Sequence, residues 1–374
     1  MSITDDIKAI GLECGFHAVG VTGVEPFLEA EASLQDRVVR KHLDQCGFDT
    51  ETIQARTHPQ ISFPAARSII SIALSYTTSD TLEASPKSDS FGFFARFSYG
   101  IDYHTVLREK MSKFADRIRR EIDNRVDIRS FADTGPFVDR SVAVRSGIGS
   151  FGKNCCVYTR DYGSWVVLGE LITDLELQAD PPSREICGKC SKCMEACPMG
   201  AISAPYTVDA GICLSRITQS KGYIPQALRK AMGSRIYGCD TCQSACPVNK
   251  HAIPGNIESF RPLSWQVTEN PAEWLNISST DFQQNVAPAT AGWIRRQRFR
   301  RNVAVALGNM KDTTSVPQLI EAVSDPDPII RSHSAWALGR IGGHRAGIAL
   351  GKALVAELDS EVLSEIRYAL DMIG

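Results

Sequence analysis

The chain has 374 residues, of which 43% are hydrophobic and 22% charged, and its 41 basic against 43 acidic side chains leave a net charge of −2. These values are typical of a globular protein of two or three domains, and they exclude a disordered chain, a collagen-like rod and a uniformly basic protein. No apolar run approaches the roughly 18 residues of a membrane span. The segment MSITDDIKAIGLECG has acids where a signal peptide has basic and apolar residues. We therefore expect a cytoplasmic protein without a membrane partner.

Residues 1–180 alternate between helical and strand-like patterns, which predicts one mixed α/β (α+β) domain. The predicted helices span 3–14 and 105–123, where apolar residues recur at helical spacing. The predicted strands, rich in Ile, Val and Ala, span 18–22, 68–76, 128–132, 156–158 and 165–168. The pair Pro181-Pro182 marks the expected end of this domain.

One carboxylate stands directly after a predicted strand, in the run Phe131-Ala-Asp133-Thr-Gly-Pro136. An aspartate in front of such a turn commonly caps the backbone of the turn itself. The alternative interpretation is a general acid that faces a pocket, and such an acid needs an apolar setting that raises its pKa. The residues alone leave both interpretations open.

The run Gly147-Ile-Gly-Ser-Phe-Gly-Lys-Asn154 matches G-x-G-x-x-G and lies one residue away from a P-loop. A dinucleotide fingerprint follows a strand and opens a helix. Here a helical pattern precedes the glycines and a strand pattern follows them, so the order is inverted. Asn154 also lacks the hydroxyl that a P-loop offers to magnesium. We predict instead that the glycines allow close approach of the backbone to a bulky group.

Twelve cysteines are present, and eight of them lie between positions 187 and 246. Clustered thiols in a chain without an export signal usually bind metal. The first group reads C-x2-C-x2-C-x3-C-P from Cys187, and the second reads C-x2-C-x3-C-P from Cys239. In two-cluster ferredoxins the fourth cysteine of such a run binds the other cluster. We assign one 4Fe–4S cluster to Cys187, Cys190, Cys193 and Cys246, and the other to Cys197, Cys213, Cys239 and Cys242.

Zinc sites or disulfides are the alternatives for these eight cysteines. Zinc does not need the long C-x2-C-x2-C-x3-C-P run, and no histidine lies within either group. The remaining cysteines fit no ligand pattern, and we expect them to behave as small buried hydrophobic residues. They are Cys14, Cys46, Cys155 and Cys156.

The C-terminal third contains an internal repeat. Ala304-Val-Ala-Leu-Gly308 recurs as Ala335-Trp-Ala-Leu-Gly339, and Ala369-Leu370 continues the period. Helical repeats of this length stack into a HEAT-like array, because one helix pair cannot bury its own apolar face. The sequence thus predicts three domains: 1–180, a two-cluster ferredoxin-like domain over 181–255, and a linker with helical repeats over 256–374.

Five arginines stand close together just before the first repeat, without an acid among them. Contact with nucleic-acid phosphates is one interpretation, and a solvated helix face is the other. The five are Arg295, Arg296, Arg298, Arg300 and Arg301.

Taken together, these motifs resemble the epoxyqueuosine reductase family. The resemblance rests on Arg56-x-x-Pro59, Gly100-x-Asp-Tyr-His104, Asp133-Thr-Gly, the glycine run, Gly163-Ser-Trp-x-x-Leu168-Gly-Glu-Leu-Ile172, both cysteine groups, Cys213-x-Ser215-x-x-Thr-Gln-x-Lys221-Gly, and Tyr237-Gly-Cys-Asp240. It implies an oxidoreductase that reduces epoxyqueuosine to queuosine at the wobble position of tRNA anticodons, the last step of queuosine biosynthesis. Electrons would pass from an external low-potential donor through two 4Fe–4S clusters to cobalamin.

The resemblance also implies roles for single residues. Asp133 falls on the proton donor, and cobalt has no histidine ligand. The positions that match the cobalamin site are Arg56, Asp133, Asn154, Val157, Leu168, Ile172, Ser215 and Asp240. The positions that match tRNA contacts are Lys221, Arg295, Arg296 and Arg298. The chain departs from some members by having Ala95 where they have a cysteine, and from others by having Gln219 in place of a glutamate.

Two other functions compete with this interpretation. A reductive dehalogenase-like cobalamin protein would share the clusters, but a small organohalide requires neither helical repeats nor an arginine run. A ferredoxin-type electron carrier would leave roughly half of the chain unexplained, because two clusters need only about 60 residues. We expect a tRNA-modifying enzyme that acts as a monomer.

Overall fold

The structure, a computed structural model, describes residues 2–43, 46–83, 93–267 and 270–374. The chain divides into two compact units. The first contains Met1–Leu82, Tyr103–Cys213 and Thr241–Arg261, and the second contains Glu83–Asp102, Leu214–Asp240 and Pro262–Gly374. Each unit takes its residues from several stretches, so the three consecutive domains expected from the sequence stay a prediction.

The strands are short except for two that run through the centre of the main sheet. They are β1 (Ala18–Gly23), β2 (Ser68–Ser75), β3 (Phe93–Phe94), β4 (Ile128–Phe131), β5 (Gly149–Phe151), β6 (Val157–Thr159), β7 (Val166–Thr173), β8 (Ile202–Ala204), β9 (Thr207–Val208) and β10 (Arg235–Tyr237).

The longest helix of the described residues spans Tyr103–Glu121 with 19 residues, and four helices of 12 to 16 residues lie in the last third of the chain, where 3-10 turns join several elements. They are α1 (Ile3–Glu13), α2 (Leu28–Val39), α3 (Thr50–Thr57), α4 (Pro59–Ser62), α5 (Ser79–Glu83), α6 (Tyr103–Glu121), α7 (Asp139–Arg145), α8 (Lys192–Glu195), α9 (Leu214–Ile217), α10 (Gln226–Met232), α11 (Thr241–Ser244), α12 (Ser279–Asp281), α13 (Arg295–Met310), α14 (Val316–Ala322), α15 (Pro328–Ile341), α16 (His344–Ala356) and α17 (Ser360–Asp371). In the described ranges no helix has the length and hydropathy to span a bilayer.

The core of the first unit is a four-stranded antiparallel sheet in the order β1-β2-β7-β4. Every residue of β2 is buried, as its nearly continuous apolar sequence requires, because helices cover both faces. On one face, a side chain at Gly169 would meet Met111 of α6 at 3.0 Å. On the other face, Ala143 of α7 packs with Ala73 and Leu168. The sheet therefore holds α7 in a fixed place against β7.

The elements expected in residues 1–180 are largely confirmed. The predicted helices at 3–14 and 105–123 are α1 and α6, and the predicted strands coincide with β1, β2, β4, β6 and the start of β7. The strand expected at 165–168 continues to Thr173, because its second half pairs with β4 as well as β2.

The glycine run forms a hairpin of β5 and β6, with α7 directly before it. This confirms that the run is neither a dinucleotide fingerprint nor a P-loop, since a helix precedes it and a strand follows it. Gly149 lies so close to the paired strand that a side chain there would collide with the carbonyl oxygen of Tyr158. Gly147 and Gly149 thus approach the chain's own backbone, whereas Gly152 approaches the ring of Tyr158.

The second unit ends in stacked helices, in which α13 packs on α15 and α15 packs on α17. The repeated glycines lie at these two contacts. A β-carbon at Gly308 would lie 2.8 Å from the Cα of Ala337, and one at Gly339 would lie 2.7 Å from the Cα of Ala369. The repeat in the sequence therefore preserves positions where two helix backbones meet.

We predict that Gly308→Ala lowers the thermal unfolding midpoint, whereas Gly347→Ala raises it or leaves it unchanged. Alanine favours a helix over glycine by about 1 kcal/mol, but overpacking at Gly308 costs about 1–3 kcal/mol. Gly347 lies in α16 with no neighbour within 4 Å of its would-be β-carbon, so only the helix preference acts there. Differential scanning fluorimetry of both variants checks this. Shifts of the same sign would contradict the close contact at Gly308.

Candidate functional site

Asp133 stands two residues after the end of β4, and its backbone is left-handed, with φ of 57°. Aspartate is among the few residues that adopt this conformation readily. Its carboxylate accepts a hydrogen bond from the hydroxyl of Tyr103 at 2.9 Å and lies 3.5 Å from Nε2 of His104. The rings of Tyr103 and His104 stack with centroids 4.0 Å apart. The start of α6 thus holds the carboxylate, so Asp133 does more than cap its own turn.

The electrostatic setting of Asp133 differs from the expectation of an apolar site. Its side chain is 59% exposed. The hydrogen bond from His104 lowers the pKa of Asp133, and the bond from Tyr103 and the charge of Arg140 lower it further, against a smaller effect of burial. The structure therefore does not give Asp133 the raised pKa that a general acid requires, because donors that favour the carboxylate outweigh desolvation.

Two further carboxyl groups, Asp139 and Glu170, lie close behind Asp133, and the sequence analysis missed both. Asp139 begins α7, and Glu170 lies in the middle of β7 with none of its surface exposed. The sequence indicates Glu170 in one way: it is the only charged residue in the run Val-Val-Leu-Gly-Glu-Leu-Ile-Thr. An acid in a strand that is covered on both faces cannot be a surface residue.

The first-unit residues that resemblance assigns to cobalamin lie around α7 and β7. Arg56, at the end of α3, donates to the carbonyl of Phe137 at 3.3 Å. Asn154 is buried, and its amide donates to the Tyr158 hydroxyl at 3.0 Å. The apolar members of the group pack into the core that joins α7 to the sheet: Val157, Leu168 and Ile172.

The second-unit residues with the same assignment have other partners. Asp240 is buried and forms an ion pair with Arg96 at 3.0 Å. The carbonyl of Ser215, in α9, accepts hydrogen bonds from the side chains of Thr218 and Gln219. Asp240 and Ser215 thus contribute to the fold of the second unit, and their contact with cobalamin stays a prediction.

Several predicted cluster ligands of the first unit lie near one another. Burial raises the pKa of the Cys193 thiol. The thiols of Cys242, Cys187 and Cys246 raise this pKa further, which requires them to be close. Backbone N–H groups also reach two sulfurs, from Lys153 to Cys187 at 3.4 Å and from Ala201 to Cys197 at 3.3 Å. Such bonds stabilise cluster sulfurs and tune their potentials.

The thiols of the first unit are the ligand type that the irons of a 4Fe–4S cluster bind. Within the described ranges, no three His, Cys, Asp or Glu side chains converge closely enough to hold one metal ion. A cubane differs because each thiolate binds its own iron at a separate corner. The first-unit ligand set therefore has the sulfur chemistry that a 4Fe–4S cluster requires.

The four remaining cysteines are not alike. Cys155 is buried as expected, but Cys14, Cys46 and Cys156 are half-buried, so that expectation is wrong for three of them. The thiol of Cys156 is hydrogen-bonded to Cys242, a predicted ligand. Cys156 is thus a neighbour of the cluster region, although its position fits no ligand pattern.

The arginine run does not form the continuous positive patch that its sequence suggests. Arg295 is exposed and Arg296 is half-buried. The other three are buried and bind groups of their own unit: Arg298 donates to the carbonyl of Gln219, Arg300 pairs with Asp325, and Arg301 donates to the carbonyls of Ser220 and Gly222. The buried position of Arg298 argues against its predicted contact with tRNA phosphates.

Comparisons with known proteins cover the whole chain. The family "Epoxyqueuosine reductase QueG, DUF1730" matches residues 56–134, "4Fe-4S double cluster binding domain" matches 186–249, and "HEAT repeats" matches 295–371. The epoxyqueuosine reductase of Bacillus cereus is 36% identical, over 100% of this chain and 98% of its own length. That of Escherichia coli is 34% identical over 90% of this chain and 89% of its own length.

The chain belongs to the epoxyqueuosine reductase family.

Solved structures of epoxyqueuosine reductases have the same fold. One was crystallised with a tRNA-Tyr epoxyqueuosine-modified tRNA stem loop; it matches with a TM-score of 0.90 and 34% identity, over 99% of this chain and 98% of that chain. Another, from Bacillus subtilis, has its aspartate catalytic loop swung out of the active site and matches with a TM-score of 0.88 and 34% identity, over 99% and 98%. Membership of the epoxyqueuosine reductase family makes the chain an oxidoreductase, with a double-cluster 4Fe–4S region and C-terminal HEAT repeats as expected.

We predict that this member of the epoxyqueuosine reductase family contains about eight irons per chain after anaerobic purification, because two 4Fe–4S clusters hold four irons each. Cys187→Ala should leave about four, because the first cluster loses a ligand. Cys156→Ala is the matched control, with a thiol in the same region but outside the assigned set, and it should keep eight. Iron and acid-labile sulfide assays measure both. A loss of four irons in Cys156→Ala would place Cys156 among the ligands.

Proposed function

We propose that the chain reduces epoxyqueuosine to queuosine in tRNA, at the wobble position of the anticodon, as the last step of queuosine biosynthesis. The observation that carries this proposal is full-length similarity to epoxyqueuosine reductases, one of them crystallised with an epoxyqueuosine-modified stem loop. The reductive dehalogenase and ferredoxin alternatives are not favoured, because neither accounts for that similarity over all parts of the chain. A tRNA substrate and reduced thiols both suit a cytoplasmic enzyme.

The reaction removes the epoxide oxygen as water and leaves an alkene. It consumes two electrons and two protons, and both carbon–oxygen bonds break. 4Fe–4S clusters transfer electrons one at a time at low potential, which suits a two-electron reduction supplied from outside. The remaining requirement is an acid, because an unprotonated oxygen would leave as a poor alkoxide.

Cobalamin is the cofactor that the family implies, and the residues of the first unit suit it. Leu168, which is half-buried, offers apolar contact to a flat macrocycle, and the half-buried Arg56 offers donors to its amide rim. Val157, Ile172 and Asn154 are buried in the core beside them. When bound, cobalamin would supply the strongly reducing cobalt centre on which this chemistry depends. Ser215 and Asp240 belong to the same assignment by resemblance.

Tyr158 gives the proposed cobalamin residues a direct contact with the cluster region. Its hydroxyl accepts a hydrogen bond from Asn154 at 3.0 Å and is also hydrogen-bonded to Cys246. Cys246 is one of the four ligands that we assign to the first cluster. A path of two hydrogen bonds thus joins that cluster to Asn154, which supports the transfer of electrons in this direction.

An external low-potential donor has a suitable place to deliver its electrons. Of the eight assigned ligands, Cys190 is exposed and the other seven are half-buried. Exposed lysines at 189 and 192 flank it, and Lys153 fixes the loop by donating to the carbonyls of Gly188 and Cys190. We propose that the donor docks at Cys190.

The second unit has a surface that suits a tRNA loop. Trp293 is 60% exposed, and Arg295 and Lys221 are exposed as well. The indole of Trp293 donates to the side chain of Gln219 at 3.0 Å, which places the segment of Lys221 beside the start of α13. An exposed indole flanked by basic groups stacks on unpaired bases while the charges bind phosphates. We propose that Lys221, Arg295 and the half-buried Arg296 contact tRNA here.

Asp133→Asn should bind epoxyqueuosine tRNA normally but lose turnover by about 100-fold or more, because the amide cannot donate the proton that a general acid supplies. Asparagine tolerates the left-handed backbone at this position, so the fold should be kept. The assay incubates reduced protein with tRNA from cells that lack this activity and quantifies queuosine by mass spectrometry. A parallel reaction without cobalamin should give no queuosine. Wild-type turnover by Asp133→Asn would remove Asp133 from the mechanism, and no product from wild-type protein would refute the proposed function.

The double variant Lys221→Ala/Arg295→Ala should weaken tRNA binding and reduce the slope of log Kd against log salt by about 1–2, since each lost phosphate contact removes roughly one released counterion. Arg345→Ala is the matched control, with an exposed arginine of α16 that the proposal does not use. Fluorescence anisotropy at several salt concentrations measures the slope. An equal loss of slope in both proteins would place the tRNA surface elsewhere.

A further inference from the structure

Glu170 and Asp139 lie behind Asp133 in the layer between β7 and α7. Glu170 is opposite Ser71 of β2 and Phe131 of β4 in the ladders, so it occupies the centre of the sheet. Because side chains alternate along a strand, Glu170 shares its face with Leu168 and Ile172. This is the face on which α7 packs, and Asp139 is the first residue of α7. The two carboxyls are hydrogen-bonded to each other.

Among the described residues, no N–H or hydroxyl donates to Glu170, although Ser71 lies opposite it in the ladder. Both oxygens of Glu170 and Oδ1 of Asp139 are buried and receive no hydrogen bond from any described N–H or hydroxyl. Arg140 and Arg56, the cations that face the pair, donate instead to the carbonyls of Cys155 and Phe137. Two ionised carboxylates cannot hydrogen-bond to each other, because each only accepts. The contact between them therefore requires a proton on at least one.

The electrostatics agree with this geometry. Burial, and then the charge of Asp133, raises the pKa of Asp139 to about 7, against the opposing charges of Arg140 and Arg56. Burial, and then the charges of Asp139 and Asp133, raises the pKa of Glu170 well above its usual value. The remaining polar groups on this side, Tyr103 and His104, bind Asp133 and favour its ionised form. The pKa shifts thus favour the ionised form of Asp133 and the protonated form of Glu170, while Asp139 is protonated in part of the molecules at neutral pH.

We propose that Asp139 and Glu170 are positioning residues that form a proton store, which reloads Asp133 during epoxide reduction. This proposal rests on the proposed function of Asp133. The reaction takes two electrons from the external donor and two protons, and the oxygen leaves as water. Two neutral carboxyls hold that number of protons. Asp139 first passes its proton to the ionised Asp133 and takes one from Glu170, and Asp133 then gives its proton to the leaving oxygen. The proton now on Asp139 follows through Asp133 to complete the water, and solvent afterwards restores both protons through the exposed Asp133.

The test is the pH profile of kcat for wild type, Glu170→Gln and Asp139→Asn. Near pH 6, solvent reloads the exposed Asp133 directly, so the variants should be within about twofold of wild type. Near pH 7, protons in solvent are scarcer while the store is still partly loaded, so the variants should be slower by about fivefold or more. A purely structural role would slow turnover by one factor at every pH. Infrared spectra of the wild type at pH 7 should contain the carbonyl band of a protonated carboxylic acid, and Glu170→Gln should lose intensity in it.

Glu365→Gln is the matched control, because Glu365 is also buried but is paired with Arg229 at 2.9 Å. It should lower thermal stability without changing the shape of the pH profile. Glu170→Gln should change the shape of the pH profile of kcat. It should also make the free energy of unfolding less sensitive to high pH. With its pKa raised in the folded state, Glu170 binds more protons folded than unfolded, so its ionisation destabilises the fold as pH rises above the unfolded pKa.

The possible failures are distinct. A pH-independent effect of Glu170→Gln and Asp139→Asn, or none at all, would overturn the proton store while leaving Asp133 as the donor. An active Asp133→Asn would refute the role of Asp133 itself. Absence of the carboxylic acid band from the wild type would overturn the store even if the variants failed to fold.

Discussion

Burying an ionisable side chain costs several kcal/mol unless other groups satisfy it, and this chain meets that constraint in two opposite ways. In the second unit, the fully buried Arg301 is surrounded by acceptors, with its guanidinium bound to the carbonyls of Ser220 and Gly222 and to the side chain of Asn302. Burial still lowers the pKa of Arg301, to about 9. In the first unit, Glu170 has no such partners, and it meets the same constraint by keeping its proton. The acceptors around Arg301 stabilise the fold, whereas the proton on Glu170 is available to the reaction that we propose.

The central sheet connects that chemistry to the fold. Strand β7 is hydrogen-bonded on both sides, which fixes the height and direction of each side chain along it. Leu168, Glu170 and Ile172 therefore form a row of fixed spacing beneath α7. Asp133 follows β4, the neighbour of β7, so its position depends on the same ladder. A shift of one residue in this pairing would turn Glu170 towards α6 and separate it from Asp139.

Much of the fold and the cluster region could be predicted from the sequence, because those features depend on local spacing. Cysteine intervals indicate clusters, and the repeated Ala-x-Ala-Leu-Gly indicates stacked helices. The side-chain environment could not be predicted in the same way. The direction of the pKa shift of Asp133 depends on Tyr103 and His104, about 30 residues away in the chain. The burial of Arg298 and Arg301 depends on carbonyls about 80 residues away, and that of Arg300 depends on an acid in the loop between α14 and α15. Five adjacent arginines suggest a surface, yet only their partners decide which of them reaches it.

The interleaved composition of the two units has a consequence for biosynthesis. The first unit includes Thr241–Arg261, and the second begins with Glu83–Asp102. Neither unit is complete when its first segment leaves the ribosome, and the first cannot close until residue 261 has been translated. At about 5–20 residues per second, that takes on the order of 10 s or more. The sheet of the first unit is complete earlier, at Thr173, but Cys242 and Cys246 lie in the unit's last segment, so both clusters gain their full assigned ligand sets only late in translation.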